Sequence, residues 1–227
     1  MPAPHPSRLH GFNMGLFAGY VDTLGFMALF GLFTAHVTGN FVLLGASLAD
    51  PGQIPSLLKI LAFPAFIAGI VAARLLVASC ERRGASAHRP SYLLQLALLT
   101  GFMVCGMLAE PVARTMSALA MAAGLFGAAA MGAHSAASKL LLAHLAPTSM
   151  MTGNVTQLVI DTVDRLRGAG DAATAARCSK FFWPLCGFAA GCAGGAWLYL
   201  ALGFVALSVP LAILVLHLCM PSLEAVT

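Results

Sequence analysis

Apolar runs long enough to cross a bilayer constrain this chain more than any other feature. They cover residues 14–33, 57–77, 92–109, 116–137 and 181–203, with a shorter sixth run over 204–219 that contains Pro210. Twenty helical residues at 1.5 Å each reach about 30 Å, the thickness of the hydrocarbon core of a membrane. Charged residues make up 9% of the chain and hydrophobic ones 59%, whereas an average soluble protein is roughly 25% charged. A soluble domain of this length could not hide that much apolar surface. The chain is therefore expected to be an all-α integral membrane protein in contact with the lipid bilayer, forming one transmembrane domain over 1–227. The net charge of +4 is spread between the apolar runs, so no nucleic-acid partner is expected. The first run is too long for a cleavable signal peptide and lacks a small-x-small exit, so it is expected to remain as the first span.

Within this frame one tripeptide recurs. Thr38-Gly39-Asn40 returns as Thr152-Gly153-Asn154, 114 residues later (152 − 38). The elements around each copy recur in order: a full span, the triad with a short helix, a span with an aromatic-Pro pair, and a final span. The pairs are Phe63-Pro64 and Trp183-Pro184. This order predicts about six transmembrane helices arranged as a 3+3 repeat. Residues 1–11 form a disordered cytosolic tail, 12–113 the first copy and 114–227 the second. Asp50-Pro51-Gly52 reads as a turn, and residues 164–180 as a charged loop. Gly187, Gly191 and Gly195 form a small-residue stripe, a face for helix partners that leaves room for a homo-oligomer.

Three spans per copy is an odd number, so the second copy must be inverted. The charges agree. With the N-terminus inside, Arg8, Arg82, Arg83, Arg89, Lys139, Arg165, Arg167, Arg177 and Lys180 all lie inside, nine of the twelve basic residues. Lys59 and Arg114 fall outside, and Arg74 lies near the inner end of a span. The positive-inside rule thus places both termini in the cytoplasm.

At the head of a re-entrant helix, Thr and Asn are good caps and Gly allows a tight turn. Free backbone N–H groups there favour anions. Two such ends from opposite faces would meet near the midplane. The residues leave open whether each triad is re-entrant or an ordinary cap at the membrane surface. The second favours the cap, because Thr156, Gln157, Asp161 and Asp164 are polar opposite Val155, Leu158, Val159 and Thr162. Asp22 stands apart as an acid well inside a span. An intramembrane carboxylate is costly, which marks it as a proton or cation site or one end of a polar network with Thr38 or Asn40. Tyr20 and His36 are its plausible neighbours, and His134 and Ser135 fall near the matching place in the second copy. The candidate pathway residues are thus Tyr20, Asp22, His36, Thr38, Gly39, Asn40, His134, Ser135, Thr152, Gly153, Asn154 and Gln157.

No catalytic residue, metal or cofactor is expected. Ser47, Ser135 and His36 are scattered, no His-Glu-x-x-His or Gly-x-Ser-x-Gly occurs, and His36, His134 and His144 lack ligand spacing. The six cysteines contain no Cys-x-x-Cys pair and read as small buried hydrophobes.

Gly19-Tyr20-Val21-Asp22-Thr23-Leu24-Gly25-Phe26, followed by His36-Val37-Thr38-Gly39-Asn40, resembles the DUF1275 (YoaK-like, UPF0700) family of bacterial membrane proteins. The resemblance covers nearly the whole chain, including the second Thr-Gly-Asn. It implies a six-helix protein of the bacterial inner membrane and gives no substrate. In the second copy such proteins tend to carry Gly-x-Gln-Asn. The matching positions here are Gly132-Ala133-His134-Ser135, so no shared role is carried over to that site.

The leading functional expectation is a transporter or channel for an unknown small solute, proton-linked or anion-binding through the broken helices. A non-transporting scaffold or accessory subunit is the alternative. A membrane-embedded enzyme ranks last, because hydrolysis would need a nucleophile, base and oxyanion donors at one depth.

Overall fold

The computed structural model describes residues 6–49, 57–112, 116–148 and 151–219. All regular structure among them is helical: α1 (Pro6–Ala28), α2 (Val37–Ala49), α3 (Leu57–Arg82), α4 (His88–Ala109), α5 (Ala118–Leu141), α6 (Met151–Leu166), α7 (Ala172–Leu202) and α8 (Ser208–Cys219), with a 3₁₀ turn, Gly203–Leu207, joining the last two. The turn expected at Asp50-Pro51-Gly52 and the position of Arg114 lie outside the described residues.

Among the described residues, four stretches are long and apolar enough to cross a membrane: α3, α4, α5 and the continuous stretch Ala172–Cys219. Helix α1 is not among them, because Asn13 and Asp22 interrupt its apolar character. It is instead the centre of the bundle, with Phe17, Ala18, Val21 and Leu24 fully buried.

Three local expectations are corrected. Within the tail expected over 1–11, residues 6–11 are helical. A proline suits the first turn of a helix, and His10 is buried, its ring 4.9 Å from that of His217 on α8. The loop expected over 164–180 shrinks to 167–171. Asp171 stops it by capping α7, its carboxylate accepting from the Thr174 backbone N–H at 2.8 Å. At its other end α6 runs on to Leu166 because Asp161, on its inner side, pairs with Arg177 of α7 at 3.0 Å. The Thr-Gly-Asn triads are not caps ahead of α2 and α6. Both sit inside the first turn.

The bundle is held by two close parallel crossings that share one geometry. On α1 and α7, a Cβ at Gly15 would strike the carbonyl oxygen of Pro184, and one at Gly187 would strike that of Phe12. One turn on, Gly19 faces the Phe188 carbonyl and Gly191 that of Leu16. On α3 and α5, Gly69 faces the Ala129 carbonyl and Gly132 that of Phe66. In each pair, either glycine meets the carbonyl three residues before its partner. Such mutual approach brings two backbones within reach of Cα–H···O contact. The stripe Gly187, Gly191, Gly195, expected to serve helix partners, is thus filled by α1 of the same chain.

Helix α4 packs on α5 and on α8. At its end the Glu110 carboxylate accepts from the Phe204 backbone N–H at 3.1 Å. It fills the space beside Gly203, whose φ of 57° favours glycine. Large apolar side chains cover the outside as well as the core: Leu48, Trp197, Val42 and Leu200 are 73–87% exposed.

Candidate functional site

Helix α1 ends at Ala28, and the chain turns at Phe30 and Gly31, both at positive φ (55° and 71°). The connection that follows is pinned from both sides. From α1, Asp22 Oδ1 accepts from the backbone N–H of Thr34 and of Ala35, each at 2.7 Å, and from the Thr34 hydroxyl at 3.3 Å. Its Oδ2 lies 2.7 Å from His36 Nδ1. From α2, Asn40 Oδ1 accepts from the Phe33 N–H at 3.0 Å while its Nδ2 donates to the Phe33 carbonyl at 2.8 Å. Asp22 and Asn40 are both nearly inaccessible, so nearly every donor and acceptor they expose is used inside the chain.

The carboxylate faces Nδ1 of His36, so that nitrogen carries a hydrogen and Nε2 is left for another partner. His36 lies in the connection outside the spanning helices. The Asp22 hydrogen bond raises its pKa above 6.5, against the opposing effect of burial. The ring stands edge-on to Phe188 of α7 at 5.4 Å.

Beside this pair opens a cavity of about 400 Å³. Asp22, Thr23, His36 and Thr152 supply its polar lining; Phe26, Phe33 and Phe188 form aromatic walls. Met151 and Thr152 are the first two residues of α6. The acid, the imidazole and the first residues of α6 therefore share one space. Its size and its mixture of apolar walls with a few polar groups are those of a small-molecule site.

Asn154 of the second triad and His134 are engaged within the chain. Asn154 Nδ2 donates to the Pro147 carbonyl at 2.8 Å, the same seven-residue reach that Asn40 makes to Phe33. His134 is buried, with Nδ1 3.0 Å from Gln95 Oε1 and Nε2 2.8 Å from the Thr148 hydroxyl. Phe17 covers its ring at 4.7 Å. Both ring nitrogens are used.

Of the candidate residues, the cavity thus collects Asp22, His36 and Thr152. The Tyr20 hydroxyl donates to the Ala206 carbonyl at 2.8 Å, tying α1 to the 3₁₀ turn. Asn40 and Asn154 clasp the two connections. Gly39 lies under the Phe33 ring, Gly153 faces open space, and Thr38 is exposed. His134 and Ser135 are buried on α5. Gln157 donates to Asp161 Oδ1 at 3.1 Å and so supports the Asp161–Arg177 pair. The aromatic walls, and Gln95 as the His134 partner, were not anticipated. Phenylalanine recurs through every span, and its lining role exists only once α1, α6 and α7 converge. Among the described residues no group of three or more metal-ligating side chains forms.

The Asn clasps are directly testable. In Asn40→Asp the second oxygen would face the Phe33 carbonyl where the amide now donates. An unmatched buried polar contact of this kind costs about 1–3 kcal/mol. Thermal unfolding of the detergent-solubilised chain should show that loss, and Asn40→Gln should not restore it, because the longer side chain misplaces both atoms.

A family model described as "Protein of unknown function (DUF1275)" matches residues 11–220. The UPF0700 transmembrane protein YoaK of Bacillus subtilis (strain 168) is 39% identical over 66 residues, which span 29% of this chain and 29% of that protein. No solved structure matches the chain. With the four membrane-length apolar stretches, these likenesses make it an integral membrane protein.

Proposed function

This chain belongs to the DUF1275 family, and we propose that it is a small-solute transporter or channel whose pathway passes through the Asp22–His36 cavity. The observation that carries this reading is the cavity itself, where the acid of α1 and the imidazole just before α2 meet the head of α6. Broken helices pointing at a shared site from the two halves of a repeat are a common transporter plan. Non-helical backbone at membrane depth is tolerated where it lines such a space.

We read six crossings, α1, α3 and α4 in one half and α5, α7 and α8 in the other, with α2 and α6 re-entrant. The parallel pairing supports the inversion. Helix α1 runs parallel to α7, and α3 to α5. A second half in the same orientation as the first would set each of these pairs antiparallel. The N- and C-termini face the cytoplasm, and the membrane is the bacterial inner membrane, as the distribution of basic residues supports. In this reading Asp22 takes part in proton linkage. The first-turn N–H groups of α6, joined by His36 Nε2–H when the imidazole is protonated, present donors to a solute's acceptor atoms.

The test uses a single cysteine at the cavity wall. In a cysteine-free chain in sealed vesicles, Thr152→Cys should react with an impermeant maleimide from either face in turn, because a solute pathway must open to both. Reaction from one face only would make the cavity a fixed recess and favour a non-transporting scaffold.

A further inference from the structure

Away from that cavity, two others meet where α1, α6 and α7 come together. One of about 730 Å³ is lined by Arg8, Arg165, Leu158, Phe182 and Trp183 among others. The other, of about 280 Å³, is lined by Arg8, Lys180, His144 and Trp183. Arg8, Ser179 and Trp183 belong to both, so the two form one continuous recess. Three permanent cations border it, from three different helices, and no carboxylate lines either part. The nearby acid Asp161 is turned inward and neutralised by Arg177. His144 lies in the connection before α6. Burial, with Lys180 beside it, holds its pKa below 6.5, so it is uncharged at neutral pH.

The surroundings are inside-out for a protein in water. Helix α6 turns Asn154 and Asp161 inward. It exposes Val155, Val159, Ile160, Val163 and Leu166, the last at 83%. An apolar helix face beside a tryptophan and a ring of cations is the chemistry of the membrane interface. A solvated basic patch would be flanked by polar residues and would leave salt-bridge partners among the acids nearby.

We propose that the Arg8–Arg165–Lys180 recess binds the headgroup of an anionic phospholipid, with the acyl chains lying along the exposed apolar face of α6. The phosphate would take charge-assisted hydrogen bonds from the two guanidiniums. Ser179 adds a hydroxyl at the shared wall. Trp183 offers its ring at the level of the headgroup. Basic pockets between helices are a recurrent way to hold such lipids. The occupant is committed to a lipid, because a soluble phosphate ester would have no use for the α6 face.

The chain has two tryptophans, Trp183 and Trp197. Trp197 is 80% exposed, so Trp197→Phe leaves Trp183 as sole reporter at little structural cost. In phosphatidylcholine vesicles, dibrominated phosphatidylglycerol is expected to quench Trp183 at far lower mole fraction than dibrominated phosphatidylcholine. The triple variant Arg8→Gln, Arg165→Gln, Lys180→Gln should weaken the anionic lipid's advantage about tenfold or more, since each cation near an anionic lipid contributes several-fold. The charge-conserving variant Arg8→Lys, Arg165→Lys, Lys180→Arg should keep most of it, which separates loss of charge from loss of fold. Arg82→Gln, Arg83→Gln, outside the recess, should change nothing. Equal quenching by the two brominated lipids would overturn the proposal. So would relief of the phosphatidylglycerol quenching by glycerol phosphate at matched concentration, which would assign the recess to a soluble phosphate instead.

Discussion

Asp22→Ala is expected to cost about 3–5 kcal/mol, the range for removing one member of a buried, hydrogen-bonded charge pair. The reason is local. The Thr34 and Ala35 N–H groups are buried and both donate to Asp22 Oδ1. Alanine leaves two backbone donors without acceptors, at about 1–3 kcal/mol each. It also frees His36. In a chain of this size that loss should lower the unfolding midpoint by roughly 10 °C or more. Asp22→Asn should lose less, because its amide oxygen still accepts from both N–H groups. What Asn removes is the pairing with His36, and pH separates that part. The folded pKa of His36 is raised by Asp22. Its stabilising contribution is therefore fully present below the unfolded value of about 6.5 and fades as pH rises through the folded value. The stability gap between the wild-type chain and Asp22→Asn should accordingly be widest in mild acid and narrow toward alkaline pH. A gap that does not change with pH would mean that the carboxylate acts only through the two backbone donors. An Asp22→Ala chain as stable as wild type would remove the acid from the architecture altogether.

That prediction rests on residues the sequence makes visible, and the contrast with the rest of the site has a physical basis. Asp22 stands out in an apolar run because its burial must be compensated, and the two triads stand out because they repeat. The role of the triads was legible only in part. Asn40 and Asn154 reach seven residues back to a loop carbonyl. Capping preferences, which concern the residues nearest a helix start, do not encode that reach. The extent of α1 and α7 was underestimated for a related reason. Polar residues before residue 14 and across 164–180 resemble loops by composition, yet His10 and Thr174 are buried by tertiary contacts. The cavity was the least legible element. It exists because α1 and α7 run parallel and carry Phe26 and Phe188 to the same level as the start of α6. The spacing of phenylalanines along one helix carries no trace of that convergence.

The parallel crossing itself gives the second large effect. Gly187→Leu is expected to prevent α1 and α7 from packing, so that the chain no longer accumulates as a folded, monodisperse species. Overpacking a core usually costs about 1–3 kcal/mol, because neighbouring side chains can shift. Here nothing can shift. The added Cβ would meet the Phe12 carbonyl oxygen and carbon and the Leu16 nitrogen, all of them backbone. Relief requires moving the helix axes apart, which also opens the Gly15–Pro184 and Gly191–Leu16 contacts on either side. Even Gly187→Ala should be severely destabilising, although alanine is the better helix former by about 1 kcal/mol. The comparison that isolates the cause is Gly45. It is a helical, exposed glycine whose added Cβ would meet nothing within 4 Å, so Gly45→Ala should be neutral or stabilising by a fraction of a kcal/mol. Size-exclusion profiles and unfolding midpoints of the four chains, wild type included, decide the matter. If Gly187→Ala behaves like Gly45→Ala, the two helices do not approach as closely as the reciprocal glycine contacts require. The tight α1–α7 crossing that sets the level of Asp22 against Phe188 would then lose its foundation.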